Sequence, residues 1–198
     1  MFKINKLLFY TLVLPFVFSS QLILAEDSVT KNISKYINEL KQFNCNFIQS
    51  NPDGSISEGN MVYSENKIKI DYTKPSNITF VAKKNKAMYY NEDLAEVHYF
   101  NPNKTAFSMF KSFFNLHDMP KDAYNIIENN NVINVELKKI EVDNISNFII
   151  VFQDSPIELK KIKWSSADGD STFSIYNIDS DIIINKKTFS MLNPIINN

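Results

Sequence analysis

Six residues, 67–72, constrain the fold of this chain more than any others. Their sequence is Lys-Ile-Lys-Ile-Asp-Tyr, a strict alternation of charged and apolar residues. Successive side chains of a β-strand point to opposite faces, so Ile68, Ile70 and Tyr72 share one face and the three charged residues share the other. One face is dry and the other wet, which is typical of an antiparallel sheet with its core on one side.

Neighbouring segments repeat this alternation and are separated by turn residues such as Glu65-Asn66 and Lys74-Pro75-Ser76. The apolar side chains predicted to share the dry face there are Met61 and Tyr63, then Ile78 and Phe80, then Met88 and Tyr90. We predict six strands between Cys45 and Tyr99. Together they should form a curled meander whose concave face is lined by apolar side chains.

Helical periodicity appears in two places. Apolar residues recur at helical spacing from Ser28 to Asn44, which predicts an amphipathic helix that packs on the open side of the sheet. After Pro102 the spacing changes to three and four residues, which predicts a short, very aromatic helix. Its apolar residues include Phe107, Phe110, Phe113 and Phe114. Such a helix is either part of a packed core or a lid over the concave face, and the pattern leaves both open.

Strands resume beyond Pro120. We predict hairpin turns at Asn129-Asn130-Asn131 and at Asp168-Gly169, and residues 148–152 form a continuous apolar run typical of a strand buried on both faces. We also predict a last short strand at residues 188–191. The pattern gives a mainly β, α+β fold of ten or eleven strands with two or three helices, in a sheet large enough to curl or close.

The first 25 residues have the layout of a secretory signal peptide. Lys3 and Lys6 precede an apolar run of about a dozen residues, which falls short of the ~20 that a membrane-spanning helix needs. Cleavage after Ala25 would leave residues 26–198 as one domain. Glu26 follows, rather than a cysteine that could be lipidated, so we expect the mature protein to be free in solution.

Composition excludes several functions. All basic residues are lysine, and removal of the two leader lysines from a net charge of −1 leaves −3, so a nucleic-acid partner is not expected. Three glycines cannot form a glycine-rich phosphate loop, and a single cysteine, Cys45, forms no intrachain disulfide. His98 and His117 lack the spacing of a zinc site. We therefore predict no enzyme, no metal and no cofactor.

Several segments resemble, in order and spacing, the periplasmic outer-membrane lipoprotein carrier (Lol carrier) family. The resemblance begins with Phe43-Asn44-Cys45-Asn46-Phe47-Ile48-Gln49 and continues with Glu58-Gly59 before a strand. It includes residues 67–75, which end in Lys74-Pro75, and the segment Met88-Tyr89-Tyr90-Asn91. It closes with Thr188-Phe189-Ser190-Met191-Leu192-Asn193-Pro194 and so covers nearly the whole mature chain.

The resemblance implies an incomplete antiparallel β-barrel of about eleven strands, with helices as a lid over a hydrophobic cavity. It implies a monomeric chaperone that carries acylated lipoproteins across the periplasm from the inner to the outer membrane, loaded by an inner-membrane exporter complex and unloaded by an outer-membrane receptor. On this view Ile68, Ile70 and Tyr72 line the acyl-chain cavity, and Trp164 lines its far wall. The four phenylalanines of residues 107–114 belong to the lid.

One departure from the family pattern concerns the lid. Family members typically have a basic residue and a proline just before the third strand, and the basic group helps to latch the lid. Here Ser64-Glu65 occupies those positions, although Lys67 or Lys69 could substitute. Two alternatives to a carrier also stay open: a periplasmic lipid- or glycolipid-binding module that senses its ligand without shuttling it, and a secreted enzyme whose site is assembled from distant residues.

Overall fold

A computed structural model describes residues 20–114, 119–138, 140, 142 and 144–196 of the chain. Within them the protein forms two α-helices, α1 (Ser20–Glu39) and α2 (Ala106–Phe114), and one sheet of eleven strands. The strands are β1 (Gln42–Ser50), β2 (Ile56–Ser64), β3 (Lys67–Lys74), β4 (Ile78–Lys83), β5 (Lys86–Asn91), β6 (Glu96–Phe100), β7 (Tyr124–Asn129), β8 (Val132–Leu137), β9 (Ile145–Gln153), β10 (Glu158–Ser166) and β11 (Gly169–Asp179). The mainly β fold class predicted from the sequence is confirmed.

The sheet is an antiparallel meander whose first and last strands pair with each other. The spatial order is β6-β5-β4-β3-β2-β1-β11-β10-β9-β8-β7, so β6 and β7 are its two edges. These two edge strands are consecutive along the chain, and the segment that joins them contains α2. The topology therefore gives an open sheet with α2 in the connection between its edges.

Tight two-residue turns fix the register of the hairpins. Asn130 and Asn131, between β7 and β8, have φ of 46° and 65°, and Glu65 and Asn66, between β2 and β3, have φ of 46° and 64°. Two consecutive residues with positive φ are the mark of a turn whose twist matches that of the flanking strands. The predicted hairpins at Asn129–Asn131 and at Asp168-Gly169 are both present.

The strands place one continuous apolar core on the inner face. In β1 the buried residues are Phe43, Cys45 and Phe47, at every second position. Their cross-strand partners on β2 are Tyr63, Met61 and Gly59. Because neighbouring strands keep this register, the inner-face residues and the apolar side of α1 form a single cluster.

Two predicted elements need correction. Gln42, Phe43 and Asn44, predicted to be in the first helix, belong to β1, because α1 ends at Glu39 and its last turn closes through the Leu40 N–H on the Tyr36 carbonyl at 3.0 Å. Phe43 fits both periods, three residues after Leu40 and two before Cys45. The predicted strand at residues 188–191 is a turn and an extended segment instead.

That C-terminal segment packs on the outer face of the sheet. Phe189 is buried there with Val81 and Met88 in a second, smaller apolar cluster. Its carbonyl accepts a hydrogen bond from Lys83 Nζ at 3.3 Å, and the Met191 carbonyl accepts one from Tyr99 Oη at 3.1 Å. The sheet is therefore covered on part of its outer face as well as on its inner face.

The predicted leader falls mostly on residues 1–19, which lie outside the described residues; residues 20–25 form the first turns of α1. In the part of the chain that the structure describes, neither helix has the length and apolar character needed to cross a membrane.

Candidate functional site

An apolar cavity of about 480 Å³ lies between the inner face of the sheet and α2. This volume is within the ~300–1,000 Å³ typical of small-molecule sites. Its floor is the dry face of β2, β3 and β4, its roof is α2, and β9, β10 and β11 form the opposite wall. The alternation at residues 67–72, from which the sheet was predicted, therefore also supplies the floor of the cavity.

Seven of the ten sheet residues predicted to line a cavity do line this one. They are Met61, Ile68, Ile70, Tyr72, Ile78, Phe80 and Trp164. Tyr63 is on the same face but is buried beside the cavity, with its ring stacked on that of Phe114 at 4.0 Å between centroids. Ile70, Tyr72 and Phe80 are only partly buried, because part of each side chain faces the cavity.

Met88 and Tyr90 are not in the cavity, and their predicted position is wrong. Met88 is opposite Val81 and Tyr90 is opposite Thr79, on the outer face, where both belong to the cluster around Phe189. Tyr89 lines the cavity instead and is opposite Phe80. Residues 88–90 are all large and apolar or aromatic, so alternation could not show which face of β5 is inside.

The second helix rests on aromatic rings at both ends. Phe107 and Phe110 line the cavity, and the Phe107 ring lies 6.1 Å from that of Phe80. At the other end Phe114 stacks on Tyr63 and lies 6.0 Å from Phe43. The side chain of Phe113, a fourth predicted lid residue, is outside the described part of the structure.

The position where the family pattern has a basic residue and a proline is occupied differently. Glu65 is in the exposed turn between β2 and β3, with its carboxylate 3.5 Å from Lys67 Nζ, and Ser64 is buried. Lys69 Nζ is 2.7 Å from the Asp71 carboxylate. At this end of the sheet α2 has aromatic contacts with Tyr63, whose ring stacks on Phe114 and lies 6.1 Å from that of Phe110.

A glycine lets two aromatic residues meet in the wall. Phe47 and Tyr72 both lie opposite Gly59, and their rings are edge to face with centroids 5.1 Å apart. A Cβ atom at Gly59 would collide with the backbone oxygen of Asp71 and would lie 2.9 Å from the Phe47 ring. Phe47 also stacks on Phe173 at 4.4 Å, which continues the aromatic wall into β11.

One end of the cavity is polar. Tyr72 Oη donates a hydrogen bond to Gln49 Oε1 at 2.9 Å, and Gln49 Nε2 donates to Asn51 Oδ1 at 2.6 Å. Asn51 Nδ2 in turn donates to Ser57 Oγ at 3.2 Å. Burial, with a smaller effect of Tyr89, raises the pKa of Tyr72 to about 12, so its hydroxyl is neutral and able to donate at physiological pH.

Sequence reasoning missed several lining residues. They are Gln49, Ser57, Lys74, Pro75, Ser76, Tyr89, Thr105, Phe148, Ile162 and Phe173. Three of them, Phe148, Ile162 and Phe173, sit at alternating positions of strands that the sequence did predict. Ile162 shares the face of Trp164, two residues later, so alternation could have indicated it. The inward direction of Phe148 and Phe173 follows only from strand pairing, because Phe148 is opposite Trp164 and Phe173 is opposite Ile162.

Cys45 and His98, two of the groups considered for chemistry, do not line the cavity. Burial raises the pKa of the Cys45 thiol to about 12, so this thiol is protonated and unreactive. His98 is exposed on β6, 3.7 Å from the Glu96 carboxylate, and His117 lies outside the described residues. Among the described residues, no three His, Cys, Asp or Glu side chains are grouped so that they could hold a metal ion.

Comparisons with known proteins agree with the architecture. The family model described as "Outer membrane lipoprotein carrier protein LolA" matches residues 38–192. The crystal structure of an uncharacterized conserved protein from Thermus thermophilus is similar in fold, with a TM-score of 0.52 and 8% identity, over 86% of this chain and 92% of that chain. No curated protein matches the sequence.

Two further solved structures show weaker similarity. The crystal structure of MucB has a TM-score of 0.45 at 10% identity, over 84% of this chain and 62% of that chain. A DUF1329 family protein from Desulfovibrio piger has a TM-score of 0.46 at 9% identity, over 83% of this chain and 97% of that chain.

Proposed function

Because this chain belongs to the LolA family of outer membrane lipoprotein carrier proteins, we propose that it holds the acyl chains of lipoproteins in the cavity beneath α2 and carries them from the inner to the outer membrane. Members of this family are transport proteins and not enzymes. The proposed cargo is the acylated N-terminal part of a lipoprotein. The matched residues, 38–192, include all eleven strands and α2.

The observation that carries this proposal is that the apolar interior contains a cavity and is not completely filled by side chains. Ile70, Phe80 and Phe107 come from three different elements, line the same space and are each incompletely buried. A tightly packed interior has few voids larger than a water molecule. A volume of about 480 Å³ with these walls suits an aliphatic chain.

Energetics support binding and require a mechanism for release. Each buried methylene gains roughly 0.8 kcal/mol, so a sixteen-carbon chain gains on the order of 12 kcal/mol before ordering costs. A carrier has to return its cargo, and a movable roof provides a route. The ring contacts of Phe114 with Tyr63 and of Phe107 with Phe80 are the ones that α2 would break in opening.

The cellular setting in the proposal is the periplasm. The signal-peptide-like layout predicted for residues 1–25 supports export. An inner-membrane exporter complex would load the carrier, and an outer-membrane receptor would accept the cargo. We propose a monomer that binds one lipoprotein at a time.

The direct test is release of cargo from membranes. Purified protein is incubated with inner membranes that bear a radiolabelled mature lipoprotein and an active exporter, and the supernatant is analysed by gel filtration. We expect a soluble one-to-one complex. If the lipoprotein stays in the membrane, the carrier function is refuted. Native mass spectrometry of the same preparation distinguishes the alternative, since bound phospholipid without a lipoprotein partner would favour a lipid-sensing module.

A matched pair of variants tests whether the cavity is the site. Ile70→Glu puts a carboxylate into the apolar cavity, whereas Lys69→Glu puts the same group on the adjacent residue, on the outer face. We expect Ile70→Glu to stay folded by circular dichroism and to bind an acyl probe at least tenfold more weakly. Lys69→Glu should bind normally. Global unfolding of Ile70→Glu would indicate a packed core at that position.

A further inference from the structure

Several polar residues that line the cavity come from one end of β1, β2 and β3, and they include Lys74, which is ion-paired with Glu58 at 3.0 Å. Gln49 and Ser57 are direct cross-strand partners on β1 and β2, and Ser76 is in the neighbouring turn between β3 and β4. Thr105, just before α2, also lines the cavity. The rest of the floor, around Ile70, is apolar. The cavity is therefore amphipathic along its length, with an aliphatic floor and a hydroxyl- and amide-bearing end.

The hydrogen bonds at this end run in one direction. They pass from Tyr72 Oη to Gln49, from Gln49 Nε2 to Asn51, and from Asn51 Nδ2 to the hydroxyl oxygens of both Ser57 and Ser55, the latter at 3.0 Å. Within these bonds Ser57 acts as an acceptor, so its own O–H is left as the last donor of the series. This hydroxyl lines the cavity and is available to an acceptor on a ligand.

A site that binds only hydrocarbon does not need the polar groups of Tyr72 and Gln49, and burying such groups costs desolvation free energy. A phenylalanine and a leucine could line the same wall without any polar group to satisfy. A buried hydroxyl or amide needs a hydrogen-bond partner, and here each satisfies the other at 2.9 Å. The pair also holds Gln49 in one orientation, which aligns Asn51 and, through it, Ser57.

We propose that this polar end, formed by Gln49, Ser57, Tyr72 and Ser76, binds the carbonyl oxygens of the ester and amide linkages that join acyl chains to a lipidated cysteine. This inference rests on the proposed function, because it assumes that the chains themselves occupy the apolar floor. The linkage carbonyls are neutral acceptors at the head of each chain, and Ser57 and Ser76 present hydroxyl donors to them. The protein thereby distinguishes an acylated cargo from hydrocarbon of equal length.

Two synthetic probes of equal apolar mass test the proposal. One is a dipalmitoyl cysteinyl peptide with ester linkages, and the other is its dialkyl ether analogue, in which both ester carbonyls are replaced by methylene groups. Binding of each to the purified protein is measured by displacement of a fluorescent fatty-acid probe. We expect the wild-type protein to prefer the ester by about five- to tenfold, the size expected for one or two neutral hydrogen bonds.

Variants locate the preference in the polar end. Ser57→Ala removes the terminal donor, and we expect it to bind both probes with equal affinity, at the level of the ether analogue. Ser55→Ala is the matched control, because Ser55 accepts from the same Asn51 amide but does not line the cavity. It should keep the preference. Gln49→Met, which keeps the length of the side chain, serves as a second variant and should also lose it.

The outcomes separate this inference from the function on which it rests. Binding of both probes with equal affinity by the wild-type protein would refute the polar-end site and leave the acyl-chain function intact. A preference for the ester that survives in folded Ser57→Ala and Gln49→Met would do the same. Failure to bind either probe would refute the acyl-chain function and the polar-end site together.

Discussion

The concave face of the sheet has a filled half and a hollow half. In the filled half, around β8 and the ends of β9 and β10 next to the turn that joins them, Ile33 of α1, Phe152 and Leu159 are each 0% exposed. Tyr36 holds α1 against this half of the sheet, because its ring is edge to face with Phe152 and its hydroxyl accepts a hydrogen bond from the Leu159 N–H at 3.1 Å. In the hollow half, beneath α2, Ile70 and Phe80 remain partly exposed to a cavity.

The difference shows how a vacancy can persist beside a packed core. The described part of α1 sends aliphatic side chains at helical spacing, Val29, Ile33 and Ile37, into the cluster and fills the space in front of it. The nine-residue α2 instead rests on rings at its two ends, on Tyr63 and on Phe80. The floor between these supports is left uncovered, so the two helices cover similar surfaces with opposite results.

Alanine substitution on each side should give the largest contrast. Phe152→Ala removes a fully buried ring in the filled half, and we expect the free energy of unfolding to fall by about 3–5 kcal/mol. Phe107→Ala removes a partly buried ring that faces the cavity, and we expect a loss of about 1 kcal/mol or less. Urea unfolding measures both. Acyl-probe binding should weaken in Phe107→Ala and stay normal in folded Phe152→Ala.

Equal destabilisation by the two substitutions would contradict the comparison, since it would mean that α2 is packed as tightly as α1. A useful additional variant is Met88→Ala. Met88 is buried on the outer face with Phe189, so this change should destabilise the protein while leaving probe binding intact. That result would separate residues that hold the sheet together from residues that face the ligand.

Much of this fold could be predicted from the sequence, because strand alternation is a local signal. The dry face of β3 was assigned correctly, since Ile68, Ile70 and Tyr72 are separated by charged residues. The face of β5 was assigned incorrectly, since Met88, Tyr89 and Tyr90 offer two equally apolar choices. Only the pairing of Tyr89 with Phe80 decides between them, and that pairing is a property of the sheet.

The cavity and the C-terminal segment depend on long-range contacts in the same way. Residues 188–191 carry a strand-like apolar pattern, but they supply Phe189 and Met191 to the outer-face cluster instead of pairing in the sheet. The polar end of the cavity joins Gln49 and Tyr72, which are 23 residues apart. Sequence alternation predicts which side chains face inward but does not show how much space a helix leaves above them.

A second prediction separates the wall of the hollow half from the space inside it. Gly59→Ala adds a methyl group that would collide with the Asp71 backbone and crowd Phe47. Although the cavity is close by, we expect unfolding free energy to fall by about 3 kcal/mol, because β-sheet backbone cannot move aside as a flexible side chain can. Gly54→Ala is the control: the space around it is open, and only its φ of +82° opposes the change, at about 1 kcal/mol.

The two glycine variants are compared by urea unfolding and by acyl-probe binding. If Gly59→Ala were as stable as Gly54→Ala, the wall would be compliant and the cavity could expand by moving the sheet. The large expected fall in the unfolding free energy of Gly59→Ala would instead indicate that the sheet is rigid here. Any change in cavity size would then come from movement of α2. This result would sharpen the comparison by showing that the hollow half has a rigid floor and a movable roof.

The smallest predicted effect tests where the filled half ends. Cys45 is opposite Met61, which lines the cavity, and it belongs to the buried cluster against which Tyr36 of α1 packs, so it marks the boundary between the two halves. Burial raises the pKa of the Cys45 thiol from 9.0 to about 12. As pH rises above 9, the unfolded chain releases a proton that the folded chain retains, so stability falls with pH. At pH 10 the loss is about 1.4 kcal/mol, on the scale of 1.36 kcal/mol for each unit of pKa difference.

Urea unfolding of the wild-type protein and of Cys45→Ala, measured from pH 7.5 to 10, isolates this contribution from that of other groups. Cys45→Ala also loses buried surface at every pH, so the informative quantity is the difference in slope and not in level. We expect the wild-type stability to fall more steeply above pH 9, with the two curves converging by about 1.4 kcal/mol at pH 10. Parallel curves would mean that water reaches the thiol, and the hollow half would then extend past Cys45 toward α1.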